Sequence, residues 1–122
     1  MMKIILLVIA LLAGTGTGPQ AVLDGVVHDF GKVRVCDGPL SCRFTVSNTG
    51  DEPLYIQSVV SSCGCTEVKW TRTGIEPGDS GVIEAVYSND EGPYPFDKTL
   101  VVYTNAGPKP IVLHIRGIVR KK

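Results

Sequence analysis

Four cysteines and two histidines are the side chains of this 122-residue sequence with the means for soft-metal or redox chemistry. Cys63-Gly64-Cys65 puts two of them one residue apart. Thiolates at that spacing can chelate a soft cation such as Cu(I), whereas structural zinc takes four ligands, often from two paired knuckles, and one knuckle is present here. The same sulfurs can instead close on each other in a small ring, whose strain would favour thiol–disulfide exchange. A third arrangement sends them to opposite faces of a strand end. A resting disulfide, a redox pair and a Cu(I) site therefore all stay open for Cys63 and Cys65, and no other cofactor is indicated. Gly64 would supply the bend, with a positive φ, and at least one sulfur should reach solvent.

Cys36 and Cys42 flank Asp37-Gly38-Pro39-Leu40-Ser41, a turn-rich stretch between two candidate strands. A structural disulfide there would staple the base of a hairpin, and closing about seven residues would contribute roughly 2.4 kcal/mol in the chain-entropy model. The rival is a reduced Cys42 packed as a small hydrophobe, since it shares parity with Phe44 and Val46. His28 shares parity with Val26 and Phe30 and reads as packed on the first strand, while His114 opposes the Ile111, Leu113, Ile115 row and should face solvent. Neither histidine lies in a nucleophile motif. The sequence has no Gly-x-Ser-x-Gly elbow and no phosphate-cradling glycine loop, so it offers no catalytic residues of those classes.

Strands must position these groups. Gly and Pro make up 22 of the 122 residues, about 18%, against a usual share of roughly 12%. They punctuate the chain into segments of strand length. Leu40, Cys42, Phe44 and Val46 alternate with polar partners, and Leu54, Ile56, Ser58 and Val60 repeat the pattern. Strands are expected at 26–30, 33–36, 40–47, 54–61, 66–70, 82–88, 96–104 and 111–119. Asn48 to Pro53 and Glu76 to Gly81 read as turns, with Pro77-Gly78 placed for type II geometry. The expected fold is an all-β, immunoglobulin-like antiparallel sandwich of seven or eight strands. Phe30, Phe44, Val46, Leu54, Ile56, Trp70, Leu100, Val102, Leu113 and Ile115 form its expected core.

The order of motifs is itself distinctive: His28-Asp29-Phe30-Gly31, Phe44 to Gly50, Pro53-Leu54-Tyr55-Ile56, Ser61-Ser62-Cys63-Gly64-Cys65-Thr66, Ile75 to Gly81, then Leu113-His114-Ile115-Arg116-Gly117. This resembles the exported bacterial family called domain of unknown function 1573, itself similar to PapD-like and ASH immunoglobulin-like domains. The resemblance implies a β-sandwich outside the cytoplasm and no established activity. Cys36 and Cys42 depart from the family pattern and look like a private pair.

Residues 1–21 have the layout of a signal peptide: Lys3 near the start, ten apolar residues from Ile4 to Ala13, then a small and polar stretch. Ten residues cannot span a bilayer, which needs about 20. Ala21 is the expected last residue of the leader, with Ala13 as the alternative, and 22–122 forms the sandwich domain. Without Lys3 the chain carries 11 basic against 12 acidic side chains. That balance excludes the electrostatic signature of a nucleic-acid binder, and Arg120-Lys121-Lys122 is too short for a binding arm. The expected function is an exported, periplasmic or extracellular, non-catalytic binding or structural module that engages another envelope protein, with no transmembrane anchor in the mature chain. The alternative is a thiol-redox or Cu(I) protein acting through Cys63 and Cys65.

Overall fold

The computed structural model describes residues 18–121, so most of the expected leader lies outside the described residues. Eight strands follow in order: β1 (Ala21–Leu23), β2 (Val27–Arg34), β3 (Leu40–Asn48), β4 (Ile56–Ser61), β5 (Thr66–Trp70), β6 (Ser80–Tyr87), β7 (Pro95–Thr104) and β8 (Ile111–Arg120). They form two four-stranded sheets, β1-β3-β6-β5 and β2-β8-β7-β4. The inward rows predicted from alternation meet between them: Phe44, Val46, Ile83 and Ala85 from one sheet face Leu100, Val102, Leu113 and Ile115 from the other, all buried. Tyr87 stacks on Phe96 with ring centroids 4.2 Å apart, joining the sheets at one end. Among the described residues no helix is long and apolar enough to cross a membrane.

One sheet is mixed, where antiparallel pairing throughout was expected, because β2 runs parallel to β8. Parallel neighbours need a long crossover, and here the remainder of the sandwich provides it. The two strands expected at 26–30 and 33–36 are one. Gly31 does not end the first but sits at a register shift between Asp29 and Lys32, with φ 73°. Asp29 Oδ1 accepts from the Gly31 amide at 2.8 Å and holds the bulge. The type II turn forms as read: Gly78 has φ 87° and the Asp79 amide donates to the Glu76 carbonyl at 2.9 Å.

In β4 a register shift between Ile56 and Ser58 reverses the faces. Val59 is consequently 5% exposed and Val60 52%, where simple alternation from Leu54 had put Val60 inside. Val59→Thr should therefore cost about 1–3 kcal/mol for a buried hydroxyl, and Val60→Thr no more than about 0.5. Urea midpoints of the two variants check this; equal losses would mean that the shift is absent in solution.

Two expected core aromatics are only half-buried. Phe30 lies on the edge strand β2, next to the bulge, with Phe96 6.4 Å away. Trp70 ends edge strand β5 and takes the Arg72 guanidinium over its ring at 3.9 Å, which covers its outer face with charge in place of core.

Asn48 closes the opposite end of the sandwich from Tyr87. It is 1% exposed, and its Nδ2 donates to the carbonyls of Glu52 at 2.7 Å and Ile75 at 2.8 Å. Its Oδ1 accepts from the amides of Gly50 at 2.9 Å and Gln20 at 3.3 Å. All four of its hydrogen-bonding sites are thus used, tying the chain before β1 to the turn after β3 and to the segment before β6.

Candidate functional site

Cys63 and Cys65 lie in the four-residue crossover from β4 to β5, where the chain leaves one sheet for the other. They are bridged to each other, with Cα atoms 5.3 Å apart. The crossover is fastened at both ends. Ser62 donates its amide to the Thr99 carbonyl at 2.9 Å, and its Oγ accepts from the Thr99 amide at 3.1 Å, which fixes the entry to β7. At the exit, the Cys65 carbonyl accepts from the Ser88 amide at 2.8 Å, at the end of β6. Inside the turn, Ser61 Oγ donates to the Cys63 carbonyl at 2.8 Å. The Cys65 amide points at Cys63 Sγ, 3.3 Å away.

Both cysteines are half-buried, and Cys65 packs against the core cluster while Gly64 is exposed. Gly64 is not among the positive-φ glycines, contrary to the expected bend, and a Cβ there would meet nothing within 4 Å. The turn thus needs no glycine for its backbone. A bridged sulfur accepts hydrogen bonds and cannot donate them, so the contact between Cys65 Sγ and Thr66 Oγ1 at 3.8 Å has the hydroxyl as donor. Chemically, the bridge can be attacked by an incoming thiolate. A two-thiolate Cu(I) site requires it to be opened first.

The hairpin staple does not form: Cys36 and Cys42 are both free. β2 and β3 are not a hairpin at all, because they belong to opposite sheets. The link between them is a 3₁₀ turn, Val35–Asp37, which carries Cys36 exposed at the end of the sandwich. Cys42 sits within β3 opposite Ala85, half-buried on the core-facing side. Burial pushes its thiol up to about 11, so it resists ionisation, as the alternative reading of Cys42 as a small hydrophobe implies. β6 separates β3 from β5, which sets Cys42 about two strand spacings, roughly 10 Å, from the row that continues into Cys65.

Nor are the histidines brought to the cysteines. His28 is half-buried and packs edge-on against Phe30 at 4.5 Å. His114 Nδ1 is 2.9 Å from Asp97 Oδ1 on the outer face of β8. Among the described residues no three His, Cys, Asp or Glu side chains gather into a metal-binding group.

A residue that spacing could not single out positions the Cys36 turn. Asn89 is buried with φ 54°, and its Nδ2 donates to the carbonyls of Arg34 at 2.8 Å and Gly38 at 3.0 Å. Asparagine tolerates the left-handed region better than most residues, and Asn89 lies one residue, Ser88, beyond the end of β6. The one sequence cue is its place after a strand and before Asp90.

Two mostly antiparallel four-stranded sheets packed face to face define an immunoglobulin-like β-sandwich. The chain belongs to the family described as protein of unknown function DUF1573, whose model matches residues 22–119. A protein of unknown function from Porphyromonas gingivalis W83 has a similar structure, with TM-score 0.72 and 19% identity. The match covers 90% of this chain and 51% of that one, so this chain spans about half of its length. The ASH/PapD-like domain 7 of human CEP192 matches with TM-score 0.68 and 9% identity over 100% of this chain and 99% of that domain. The Vibrio cholerae VesB protease matches with TM-score 0.63 and 20% identity over 82% of this chain and 32% of its own. At these identities the likeness is one of fold. No curated protein sequence matches the chain.

Proposed function

We propose that this chain is an exported, non-catalytic binding or structural module of the bacterial cell envelope, engaging another envelope protein through its sheet edges or end loops. The observation that carries the reading is the full-length likeness to a PapD-like sandwich. Such a sandwich presents edge strands, which take up extended partner segments by main-chain hydrogen bonding. Export is supported by Lys3 followed by the apolar run 4–13, and by a Cys63–Cys65 disulfide, which persists in oxidising compartments. For the end of the leader we adopt Ala13, the alternative to Ala21. Gly18 donates its amide to Asp51 Oδ1 at 2.7 Å, and the Gln20 carbonyl accepts from the Thr49 amide at 3.0 Å, so a cut after Ala21 would remove residues that the sandwich uses.

The bridge favours one second reading, thiol–disulfide exchange. An incoming thiolate would bond to one sulfur and release the other as a thiolate; a second substrate thiol would then resolve the mixed disulfide, leaving the substrate oxidised and Cys63 and Cys65 reduced. Replacing both by Ser abolishes that chemistry and leaves a binding module intact. Export is tested by fusing residues 1–21 to alkaline phosphatase, which is active only once outside the bacterial cytoplasm. Strong activity is expected; a silent fusion present at normal level would remove the envelope from the reading.

A further inference from the structure

We propose that two copies of this chain associate through the open edge of β3, residues 40–44 of one copy pairing antiparallel with residues 40–44 of the other about a two-fold axis at Cys42. β1 covers only part of that edge, pairing Ala21, Val22 and Leu23 with Asn48, Ser47 and Val46. Asp24 extends the cover by one position: its amide donates to the Thr45 carbonyl at 3.1 Å, and its Oδ1 accepts from the Thr45 amide at 3.0 Å. The chain then crosses to the other sheet as β2.

Backbone groups alternate sides along a strand, so Arg43 and Ser41 turn their amides and carbonyls the same way as Thr45. Among the described residues nothing pairs with them on that side. The opening is bounded by the satisfied Thr45 at one end and at the other by Pro39, which has no amide to offer.

These bounds make the opening self-complementary. Thr45 and Pro39 lie three residues either side of Cys42, so a two-fold axis there sets each boundary of one copy against the other boundary of its mate. Ser41 of each copy then exchanges two main-chain hydrogen bonds with Arg43 of the other, and Leu40 meets Phe44. Cys42 faces its own equivalent in a non-hydrogen-bonded pair, with Cα atoms about 4.5 Å apart.

The outer strands β2, β4 and β5 carry features that natural sheets use to discourage such pairing, and β1 is only three residues long. β2 has a bulge and Lys32, and β4 has its own register shift. β5 bears Glu67 and Lys69 and packs beside β4. β3 is unbroken in register along β6, and the charge of Arg43 is answered within its own copy by Glu84. Pairing over five residues a side buries little area, so the association is weak and transient. It goes beyond the envelope-module reading and does not rest on it.

The test uses the Cys36→Ser protein, in which Cys42 is the one unbridged thiol. Sedimentation from about 1 μM to about 1 mM should show a dimer growing with concentration. Oxidised glutathione at alkaline pH should then yield a Cys42-to-Cys42 linked peptide. Two Cys42 thiols give up two protons and two electrons as their S–S bond forms, and each oxidised glutathione becomes two reduced molecules. Ser41→Lys places a cation opposite Arg43 of the mate and should weaken the dimer about tenfold without lowering the melting temperature. Ser41→Pro deletes an amide that faces away from β6 and should do the same. A monomer throughout the range, or a dimer that survives both Ser41 variants without the Cys42 link, overturns the proposal.

Discussion

Phe44→Ala should lower stability by about 3–5 kcal/mol, a large share of the roughly 5–15 kcal/mol that holds a domain of this size together. Phe44 is 3% exposed, sits mid-strand in β3 and projects from one sheet toward the other. Its removal leaves a cavity that neither sheet can close without breaking its own ladder. Trp70→Ala, though it deletes a larger ring, should cost clearly less, because that ring is half-buried under Arg72 at an edge. Denaturant titration of the pair checks the ranking, and a greater loss at Trp70 would contradict the assignment of the core.

Asn48→Asp keeps the shape of the side chain and should still cost about 3 kcal/mol or more at neutral pH. The two carbonyls of Glu52 and Ile75 would face a carboxylate oxygen in place of a donating amide. Burial and those carbonyls both oppose ionisation, so the introduced acid has a raised pKa in the folded state. The sign follows: the deficit is greatest above that raised value and shrinks as the pH falls and the acid is protonated, because the neutral form can donate to one carbonyl. Thermal unfolding of the variant at neutral and mildly acidic pH, each against the unaltered protein, reads both the size and the direction.

Alternation carried most of the architecture because one face of each strand is buried and side chains follow the pleat. The rows through Phe44, Leu100 and Leu113 were legible for that reason. It failed at Val60 because a bulge shifts the parity and leaves no residue type that announces it. Two strands were read around Gly31 because a glycine marks a turn and a bulge alike. The staple between Cys36 and Cys42 rested on nearness in sequence, and nothing local says that the intervening turn changes sheets. Asn48 and Asn89 resemble ordinary turn residues, since what distinguishes them is which distant carbonyls they reach. At the crossover the sequence located the sulfur pair but left its state open, and the attribution of the bend to Gly64 did not hold.

The proposal of an exported, singly bridged domain is tested most directly by one mass spectrum of the chain recovered from the cell envelope, unfolded and alkylated without reduction. The expected mass is that of a chain cut after Ala13, carrying two alkyl groups, on Cys36 and Cys42, with Cys63 and Cys65 protected by their bridge. A chain that retains Met1 and takes up four alkyl groups would contradict both the export and the disulfide.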